Sequence, residues 1–514
     1  MEKHYPVDSA DFEEIIQSGK VYVDKTRRMY EMTRDKYVFL ARPRRFGKSL
    51  LSYTLECYFN AQKELFKGLA IEELEKDWVK YPTFRIDMSL YKDVSLKDLR
   101  LGLDDELSIL ERKLGYDRSG GPISSRFKNL IETACQATGQ KTVIIIDEYD
   151  APLLNHIHDG HLDEYRAVLQ EFYQPLKVCE KSLRFVFITG ITKFSQVSIF
   201  STINNLKKIS MVDQYSDICG ISKEELLTQF TEEIQELADK YQCSYDDMVG
   251  KLKYMYDGYR FSENSKEMFN PLSLMYVFAY KKIDNYWFQT ATPTFIINHL
   301  KHFQVDPRSL FDAEMLSNQF DVSAEDVKSI WPLLYQSGYA TIKSYDPDFE
   351  TFTLGLSNKE VECGLMQNIA ISYLNLPCDL TFSAKLNFYR NLVWGKIDEA
   401  MDVLSNFFVQ IPYSLQNKEE AHFETIMFVI FKWLGMNTYV EVKNAVGRLD
   451  VILFTKNIIY IIELKVDDSA TEALDQIDRM KYAVPYQNDG REIVKLGINI
   501  SSEKRTIDSW EVRR

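Results

Sequence analysis

One stretch constrains this chain more than any other: Ala41-Arg42-Pro43-Arg44-Arg45-Phe46-Gly47-Lys48-Ser49. A short apolar run precedes it, and a helical pattern with one apolar face follows it. A strand, a tight loop, Gly-Lys-Ser and a helix form the context of a phosphate-binding loop, where backbone N–H groups hold phosphate oxygens. Lys48 would reach the β- and γ-phosphates, and the Ser49 hydroxyl would hold Mg²⁺. The usual pattern has glycine where this chain has Arg42, and Gly-Lys-Ser by itself also occurs in ordinary loops.

A second motif lies about a hundred residues downstream, at Val143-Ile144-Ile145-Ile146-Asp147-Glu148. A short, fully apolar, β-branched run is typical of a buried parallel strand. Asp147 would hold Mg²⁺ through water, and Glu148 would polarise the attacking water, as in a Walker B motif. A buried strand that merely emerges into an acidic loop is the alternative. The position of the motif after Gly47-Lys48-Ser49 favours ATP with Mg²⁺ as the ligand.

A further strand is predicted at Arg184–Thr189, and Thr83–Met88 predicts another. In P-loop ATPases with an additional strand between the two Walker strands, the next strand ends in a polar sensor near the γ-phosphate. Thr189, Thr192 and Lys193 are the candidates for that sensor. A polar loop after a core strand remains the alternative for each of them.

The segment Arg42–Ser49, with Tyr22-Val23-Asp24-Lys25-Thr26 before it and Thr189-Gly190-Ile191-Thr192-Lys193-Phe194-Ser195 after it, resembles the bacterial AAA-ATPase-like family. The resemblance covers about residues 1–290. In that family the first Walker A glycine is also commonly an arginine, so the departure at Arg42 is one that the family shares. An arginine does not adopt positive φ as readily as a glycine does.

The patterns in the middle of the chain indicate secondary structure and do not indicate catalytic residues. Residues 216–290 have helical patterns, with a capping box at Ser222-x-x-Glu225, and predict a lid on the nucleotide module. Tyr256–Phe261 and Asn270–Ser273 resemble further signatures of the same family, and we interpret them as a turn and a helix start. A capped helix from Ser323 followed by two β-like runs predicts a winged-helix-like segment.

Three histidines, His156, His158 and His161, lie close together in the sequence. They are compatible with a metal site, but a solvated loop is the favoured interpretation because no cysteine lies nearby.

The C-terminal part predicts strands at Thr438–Val442, Asp450–Thr455 and Ile458–Lys465, with a two-residue turn at Lys456-Asn457. In such a hairpin the paired residue numbers have a constant sum, so Asp450 would lie opposite Glu463. Side chains alternate along a strand, so Lys465 would lie on the same face as Glu463. Burying two carboxylates together is costly unless a cation lies between them, and either Lys465 or Mg²⁺ would serve.

This spacing resembles the PD-(D/E)XK nuclease superfamily, in which an acid on one strand is followed by Glu-x-Lys on the next. By that resemblance Asp450 and Glu463 bind Mg²⁺, or Mn²⁺ in its place, and Lys465 orients or deprotonates the attacking water. The preceding helix would supply Glu424, which completes the metal site or positions water, and the following helix would supply Gln476. An inactivated nuclease fold kept for binding or assembly is the alternative.

Composition limits the partners of this chain. The formal net charge of −14 excludes a globally basic surface, so any nucleic-acid surface must be local. Seven cysteines without a Cys-x-x-Cys pair predict reduced thiols in a cytoplasmic protein. We expect no signal peptide and no membrane span, since no apolar run approaches about 18 residues.

The sequence therefore predicts an α/β protein. Its parts would be a P-loop ATPase domain with a parallel sheet (1–215), a helical lid (216–290), a winged-helix-like segment (291–375) and a restriction-endonuclease-like α/β domain (376–514). The favoured function is an ATPase coupled to a Mg²⁺-dependent nuclease that acts on nucleic acid, with DNA favoured over RNA. A nucleotide-dependent regulator or scaffold with a silent nuclease fold is the alternative, and an ATPase whose tail only packs is a third. Oligomerisation stays open.

Overall fold

The computed structural model describes most of the chain, in these ranges: 3–116, 120–157, 160–192, 203, 205–289, 294–302, 305–311, 313–320, 329–374, 378–410, 425, 427–430, 432, 437–444 and 447–514. For 437–444 and 447–450 the description is limited to the backbone. The chain forms two compact units. The first comprises Met1–Phe303 with Phe311–Val361, and the second comprises Gln304–Leu310 with Glu362–Arg514.

A parallel sheet organises the N-terminal part of the first unit. Its strands are β1 (Tyr37–Ala41), β2 (Thr83–Asp87), β3 (Thr142–Asp147), β4 (Leu183–Gly190) and β5 (Lys207–Lys208). They lie in the order β2-β3-β4-β1-β5. The strand β4 therefore lies between the strand before the Gly-Lys-Ser loop and the strand that ends at Asp147. Strands β1 and β3 are buried along their whole length, as expected for a parallel sheet that is covered on both faces.

Helices surround this sheet and continue into the middle of the chain. In the described part of the first unit they are α1 (Phe12–Gln17), α2 (Thr26–Met32), α3 (Lys48–Phe59), α4 (Ile71–Leu74), α5 (Leu96–Lys113), α6 (Ile123–Thr138), α7 (Leu162–Tyr173), α8 (Pro175–Val178), α9 (Lys223–Gln229), α10 (Thr231–Lys240), α11 (Tyr245–Tyr256), α12 (Pro271–Tyr280), α13 (Tyr286–Gln289), α14 (Thr294–His302), α15 (Ser317–Phe320) and α16 (Trp331–Ser337).

The helical region after residue 216 has the predicted local structure. Ser222 and Glu225 form the capping box at the start of α9. Asn270 caps α12 through a hydrogen bond that its side chain accepts from Ser273 N. The apolar side chains of Leu226, Phe230, Ile234 and Leu237 are buried at helical spacing. Leu227 is half-buried, and Tyr241, which follows the last residue of α10, is 37% exposed. A short antiparallel pair, β6 (Ile221–Ser222) with β7 (Met268–Phe269), closes this region.

A helix followed by a hairpin occupies the predicted winged-helix-like segment. Helix α16 leads into β9 (Ala340–Asp346) and β10 (Thr351–Leu356), and β8 (Ala313–Leu316) pairs with the other side of β10. The helix begins at Trp331, with Ile330 as its N-cap, so the predicted start at Ser323 is not the start of this helix. The predicted cap at Ser323 lies outside the described residues.

The second unit contains a mixed sheet in the order β11-β12-β13-β14-β15. Its strands are β11 (Asn437–Asn444), β12 (Gly447–Phe454), β13 (Ile458–Val466), β14 (Glu492–Ser501) and β15 (Thr506–Arg513), and its described helices are α17 (Lys359–Leu374), which begins in the first unit, α18 (Cys378–Val393), α19 (Ile397–Gln410) and α20 (Ala470–Arg479). The pairs from Val451 with Ile462 to Phe454 with Ile459 have the register that the Lys456-Asn457 turn predicted. Within the described residues, no helix has both the length and the apolar character needed to cross a membrane.

A buried carboxylate joins the helical region to the start of α17. Glu360 is fully buried and accepts hydrogen bonds from the backbone of Tyr286 at 2.7 Å and of Trp287 at 2.9 Å. It also accepts a hydrogen bond from the Ser273 hydroxyl at 2.8 Å. Burial raises the pKa of Glu360 from 4.5 to about 7, although these hydrogen bonds favour its charged form.

We predict that Glu360 makes the protein less stable as the pH rises from about 4.5 to about 7. The folded protein holds a proton there that the unfolded chain releases, so stability falls over that interval, by an amount on the order of 1–3 kcal/mol. Glu360→Gln cannot ionise and should lack this part of the pH dependence. Urea unfolding at both ends of the interval measures it, with the exposed Glu263→Gln as the control. An equal change in the free energy of unfolding with pH in wild type and Glu360→Gln would contradict the prediction.

Candidate nucleotide site and candidate nuclease site

The loop between β1 and α3 has the backbone of a phosphate-binding loop. Gly47 has φ of 89° and is the N-cap of α3, and Arg45 also has positive φ, at 66°. Lys48 is the first residue of the helix, and its side chain is 3% exposed. The unpaired N–H groups at the start of α3 therefore lie at the loop, where an anion would bind.

The predicted charged residues converge at this loop. Lys48 Nζ lies 3.3 Å from Glu148 Oε1 and donates a hydrogen bond to the Pro43 carbonyl at 3.2 Å. Asp147 is fully buried at the end of β3, and the Ser52 hydroxyl donates to it at 3.1 Å. Burial, and the neighbouring charge of Glu148, raise the pKa of Asp147, whereas Lys48 and a hydrogen bond from Ser49 lower it.

Ser49 is close enough to Asp147 to lower the pKa of that carboxylate, although the hydroxyl that bonds to it is that of Ser52, and hydroxyl and carboxylate oxygens suit Mg²⁺. A divalent cation at this place would also offset the cost of keeping the Asp147 carboxylate charged in a buried position.

A cavity of about 550 Å³ adjoins the loop. Its lining at the loop is polar, with Arg44, Arg45, Lys48 and Ser49 from the loop and Glu148 from the end of β3. Elsewhere the lining includes apolar side chains: Val7, Val21, Tyr22, Ile218, Ile221, Leu272 and Met275. The lining also includes Phe46 at the loop and the charged residues Asp8, Lys25, Asp87 and Lys92. A cavity of this size, with cations of the loop and apolar side chains in its wall, fits a nucleotide, which has both phosphates and a base.

Arg42 was predicted to contact the nucleotide, and its side chain is placed differently. The guanidinium is buried and donates hydrogen bonds to the carbonyls of Ala41, Ser210 and Tyr215 at 3.0, 2.7 and 3.0 Å. Neither Arg42 nor Pro43 lines the cavity. The Arg42 side chain is therefore not placed as the predicted nucleotide contact: two of its guanidinium nitrogens bond to carbonyl oxygens, and the third, Nε, is buried without a hydrogen-bond partner.

The sensor candidates at the end of β4 have internal partners. The Thr189 hydroxyl donates to the Leu40 carbonyl at 2.8 Å, and the Thr192 hydroxyl donates to Asp150 at 2.6 Å. Neither threonine lines the cavity. Lys193 lies outside the described residues. The two threonines therefore hold β4 to its neighbours in this conformation.

Asp150 is a buried acid that the sequence analysis did not select. Its carboxylate accepts hydrogen bonds from Ile191 N at 3.1 Å and Thr192 N at 2.7 Å, in addition to the Thr192 hydroxyl. A Cβ at Gly190 would lie 2.4 Å from Asp150 Oδ1, so only glycine fits beside it. Burial and the charge of Glu148 raise the pKa of Asp150 to about 6. Its signal in the sequence was a third acid two residues after Glu148.

Asp87 is a second acid near the loop that the sequence analysis left without a role. It ends β2, pairs in register with Asp147 and lines the cavity. Arg85 on the same strand lies 3.9 Å from Asp147 and 3.3 Å from Glu56. The carboxyl ends of neighbouring parallel strands meet at one edge of a sheet, and that rule applied to Thr83–Met88 would have found Asp87.

The nuclease candidates lie in the second unit, on β13 and α20. Glu463 is 2% exposed, and the side-chain amide of Gln476 donates a hydrogen bond to it. Lys465 Nζ donates to the Gln476 carbonyl oxygen at 2.7 Å. The amide of Gln476 therefore links the predicted metal ligand to the predicted catalytic lysine.

The backbone of Asp450 lies in β12 beside Val451, but the pairs between β12 and β13 end at Val451 with Ile462, so the pairing of Asp450 with Glu463 stays a prediction. The side chain of Asp450 and the whole of Glu424 lie outside what the structure describes. No group of three or more acidic, histidine or cysteine side chains that could hold a metal occurs among the described ones. His158 lies outside the described residues as well, and His156 stacks on the ring of Tyr165.

Two regions of the chain match known protein families. Residues 6–200 match the model of a family described as predicted AAA-ATPase, and residues 418–510 match the model of the PD-(D/E)XK nuclease superfamily. A protein of Azotobacter chroococcum mcd 1, described as an uncharacterized protein in the vnfD 5' region, is 28% identical over 526 residues, which cover 99% of each chain. The matches confirm the predicted order of an AAA-ATPase-like domain and a C-terminal nuclease-like domain.

We predict that Gly497→Ala destabilises the sheet that carries Glu463. Gly497 pairs with Glu463 across β13 and β14, and a Cβ there would lie 2.1 Å from the carbonyl oxygen of Ala470, the first residue of α20. Helix α20 would have to move, at a cost of about 1–3 kcal/mol. Chemical denaturation measures the loss. The matched control is Gly250→Ala, where the added Cβ meets nothing and a helix gains about 0.5–1 kcal/mol. A Gly497→Ala protein as stable as wild type would overturn this account.

Proposed function

We propose that this chain, which joins an AAA-ATPase-like domain to a PD-(D/E)XK nuclease superfamily domain, hydrolyses phosphodiester bonds of nucleic acid under the control of ATP. The observation that carries the proposal is the buried Glu463, linked through Gln476 to Lys465, in the region that matches the nuclease superfamily. DNA is the favoured substrate. A silent site would have no need to keep an acid, an amide and a lysine in contact.

In the nucleotide half, Lys48 neutralises phosphate charge, and Ser49 with Asp147 holds Mg²⁺. Glu148 polarises the attacking water. The ion pair between Lys48 and Glu148, 3.3 Å long, must open when the triphosphate takes Lys48. Glu148 is then released to act on water, so ATP binding itself prepares the general base.

In the nuclease half, Asp450 and Glu463 are the proposed metal ligands, with Glu424 as an additional acid. A bound Mg²⁺ or Mn²⁺ would supply stabilisation of the charge that develops on the phosphodiester. Lys465 orients the attacking water or takes its proton. Gln476 holds the Lys465 ammonium in place through the 2.7 Å hydrogen bond, which restricts an otherwise flexible side chain.

We predict that substitutions of Lys48 and Glu148 affect different steps, the first ATP binding and the second ATP hydrolysis. Lys48→Ala should weaken ATP binding, because the phosphates lose their buried cation. Glu148→Gln should keep binding, because it preserves size while removing the base, and should lower ATP turnover by about 10²-fold or more. Equilibrium titration with a fluorescent ATP analogue and a phosphate-release assay measure the two effects. Normal turnover in Glu148→Gln would remove that residue from the mechanism.

We predict that Lys465→Ala loses cleavage of supercoiled plasmid in Mg²⁺ or Mn²⁺, by about 10²-fold or more. The assay is run with and without ATP, and on single-stranded DNA and RNA. Lys504→Ala, an exposed lysine paired with Asp508, is the matched control and should cleave as wild type does. Altered cleavage in Lys48→Ala would support control by ATP. If wild type cuts no substrate but still binds ATP, the nuclease proposal fails, and a nucleotide-dependent regulator takes its place.

A further inference from the structure

The most unusual charge of the first unit lies directly behind the nucleotide loop. Arg42 is 1% exposed, and burial lowers its pKa, yet among the described side chains no carboxylate forms an ion pair with it. The acid that acts on it from a distance, Asp217, is paired with Arg28 at 2.9 Å. A buried cation with only carbonyl partners is costly, so its position needs a reason.

The ring of Phe261 provides part of the compensation. The Arg42 guanidinium lies 4.1 Å from the centre of that ring, which is within the range of a cation–π interaction. Phe46, from the other end of the nucleotide loop, packs edge-on against Phe261 at 5.3 Å and against Tyr259 at 4.6 Å. The loop is therefore held at both of its ends by one short segment, Tyr256–Phe261. From its sequence this segment was expected to form only a turn.

The same segment is bonded to the helix and hairpin of residues 331–356. The Tyr335 hydroxyl donates to the Phe261 carbonyl at 3.1 Å, and Arg260 N donates to the Thr341 hydroxyl at 2.8 Å. Gly338 lies so close to the loop that a Cβ there would be 2.5 Å from the Cβ of Pro43. A displacement of the nucleotide loop must therefore displace this segment, the hairpin, or both.

We propose that Arg42, Phe46, Tyr259 and Phe261 form a clamp that holds the nucleotide loop ready for ATP and passes its movement to the hairpin. The inference rests on the proposed nucleotide site and adds its regulation. Arg42 is a positioning residue in this clamp. Its guanidinium holds the loop in its conformation by bonding to three carbonyls and contacting one ring, whereas the usual motif relies on the backbone freedom of a glycine at this position. Its fixed positive charge also favours the negative charge of a bound triphosphate over an uncharged nucleoside.

The sharpest test is Arg42→Gly, which creates the standard G-x-x-x-x-G-K-S pattern. Motif logic predicts equal or tighter ATP binding in this variant, whereas the clamp predicts binding weaker by about tenfold or more, because hydrogen bonds to a buried charged group are lost. Titration with a fluorescent ATP analogue measures it on the full chain. Arg42→Lys keeps the charge without the planar group and should fall between the two. Equal or tighter binding in Arg42→Gly overturns the proposal.

A second pair of variants decides the matter if Arg42→Gly does not fold. Phe261→Leu removes one ring of the clamp, and Phe127→Leu removes an equally buried ring that stacks on Phe172 at 4.9 Å, outside the clamp. Both should lose stability, but only Phe261→Leu should weaken ATP binding. Equal binding by the two variants overturns the proposal.

Hydrogen exchange gives a readout that a purely structural role would not move. In wild type, ATP should increase the protection of residues 331–356, and in Phe261→Leu this increase should be lost while Phe127→Leu keeps it. An increase that persists in Phe261→Leu overturns the transmitting role. Wild type that binds no ATP at all refutes the proposed nucleotide site itself, which is a different result from failure of the clamp.

Discussion

Strand β4 is the element on which the proposed nucleotide site depends. It hydrogen-bonds to β1 on one side and to β3 on the other, so the Gly-Lys-Ser loop and Asp147 are held a fixed distance apart by the width of one strand. The end of β4 is secured twice. The Thr189 hydroxyl bonds to β1, and Asp150 bonds to the two residues that follow Gly190.

The buried charges at the proposed nucleotide site of the first unit contact one another, and ATP and Mg²⁺ are their further proposed partners. Lys48 pairs with Glu148, while Asp147 accepts a hydrogen bond from the Ser52 hydroxyl and lies 3.9 Å from Arg85. Each of these charges costs free energy in a low-dielectric interior. ATP and Mg²⁺ would complete the pairing. Part of the binding free energy would then come from lowering the cost of the buried charges that the fold already holds in place. Arg42 differs from them because carbonyls and a ring, not a ligand, surround it.

The second unit uses the same principle with a smaller set of residues. Glu463 is buried in the sheet, and its contact with charge passes through the neutral amide of Gln476 to Lys465. An amide donates from one end and accepts at the other, so it joins an anion to a cation without neutralising either. In the proposed nuclease site, that arrangement would keep the carboxylate available for a metal and the ammonium available for water.

The sequence alone determined the elements whose signal is local. The hairpin register around Lys456-Asn457 follows from turn length and alternation, and the phosphate-binding loop follows from Gly47-Lys48-Ser49 between an apolar run and a helix. The contacts of Glu463 and Lys465 with Gln476 were also within reach, because strand alternation and the family resemblance select these residues, whereas the order of the strands came only from the structure. The side chains of Asp450 and Glu424 are outside the described structure, so their part of that site stays a prediction.

Only the tertiary structure decided what Arg42, Asp150 and the Tyr256–Phe261 segment do. Their partners are distant in sequence: Arg42 bonds to carbonyls at residues 210 and 215 and stacks on a ring at 261, and Asp150 bonds to residues 191 and 192. A side chain's chemistry is local, but whether a buried cation meets a phosphate, a carboxylate or a ring depends on which segments pack around it. Those contacts arise from packing across the chain, which no pattern of spacing along it encodes.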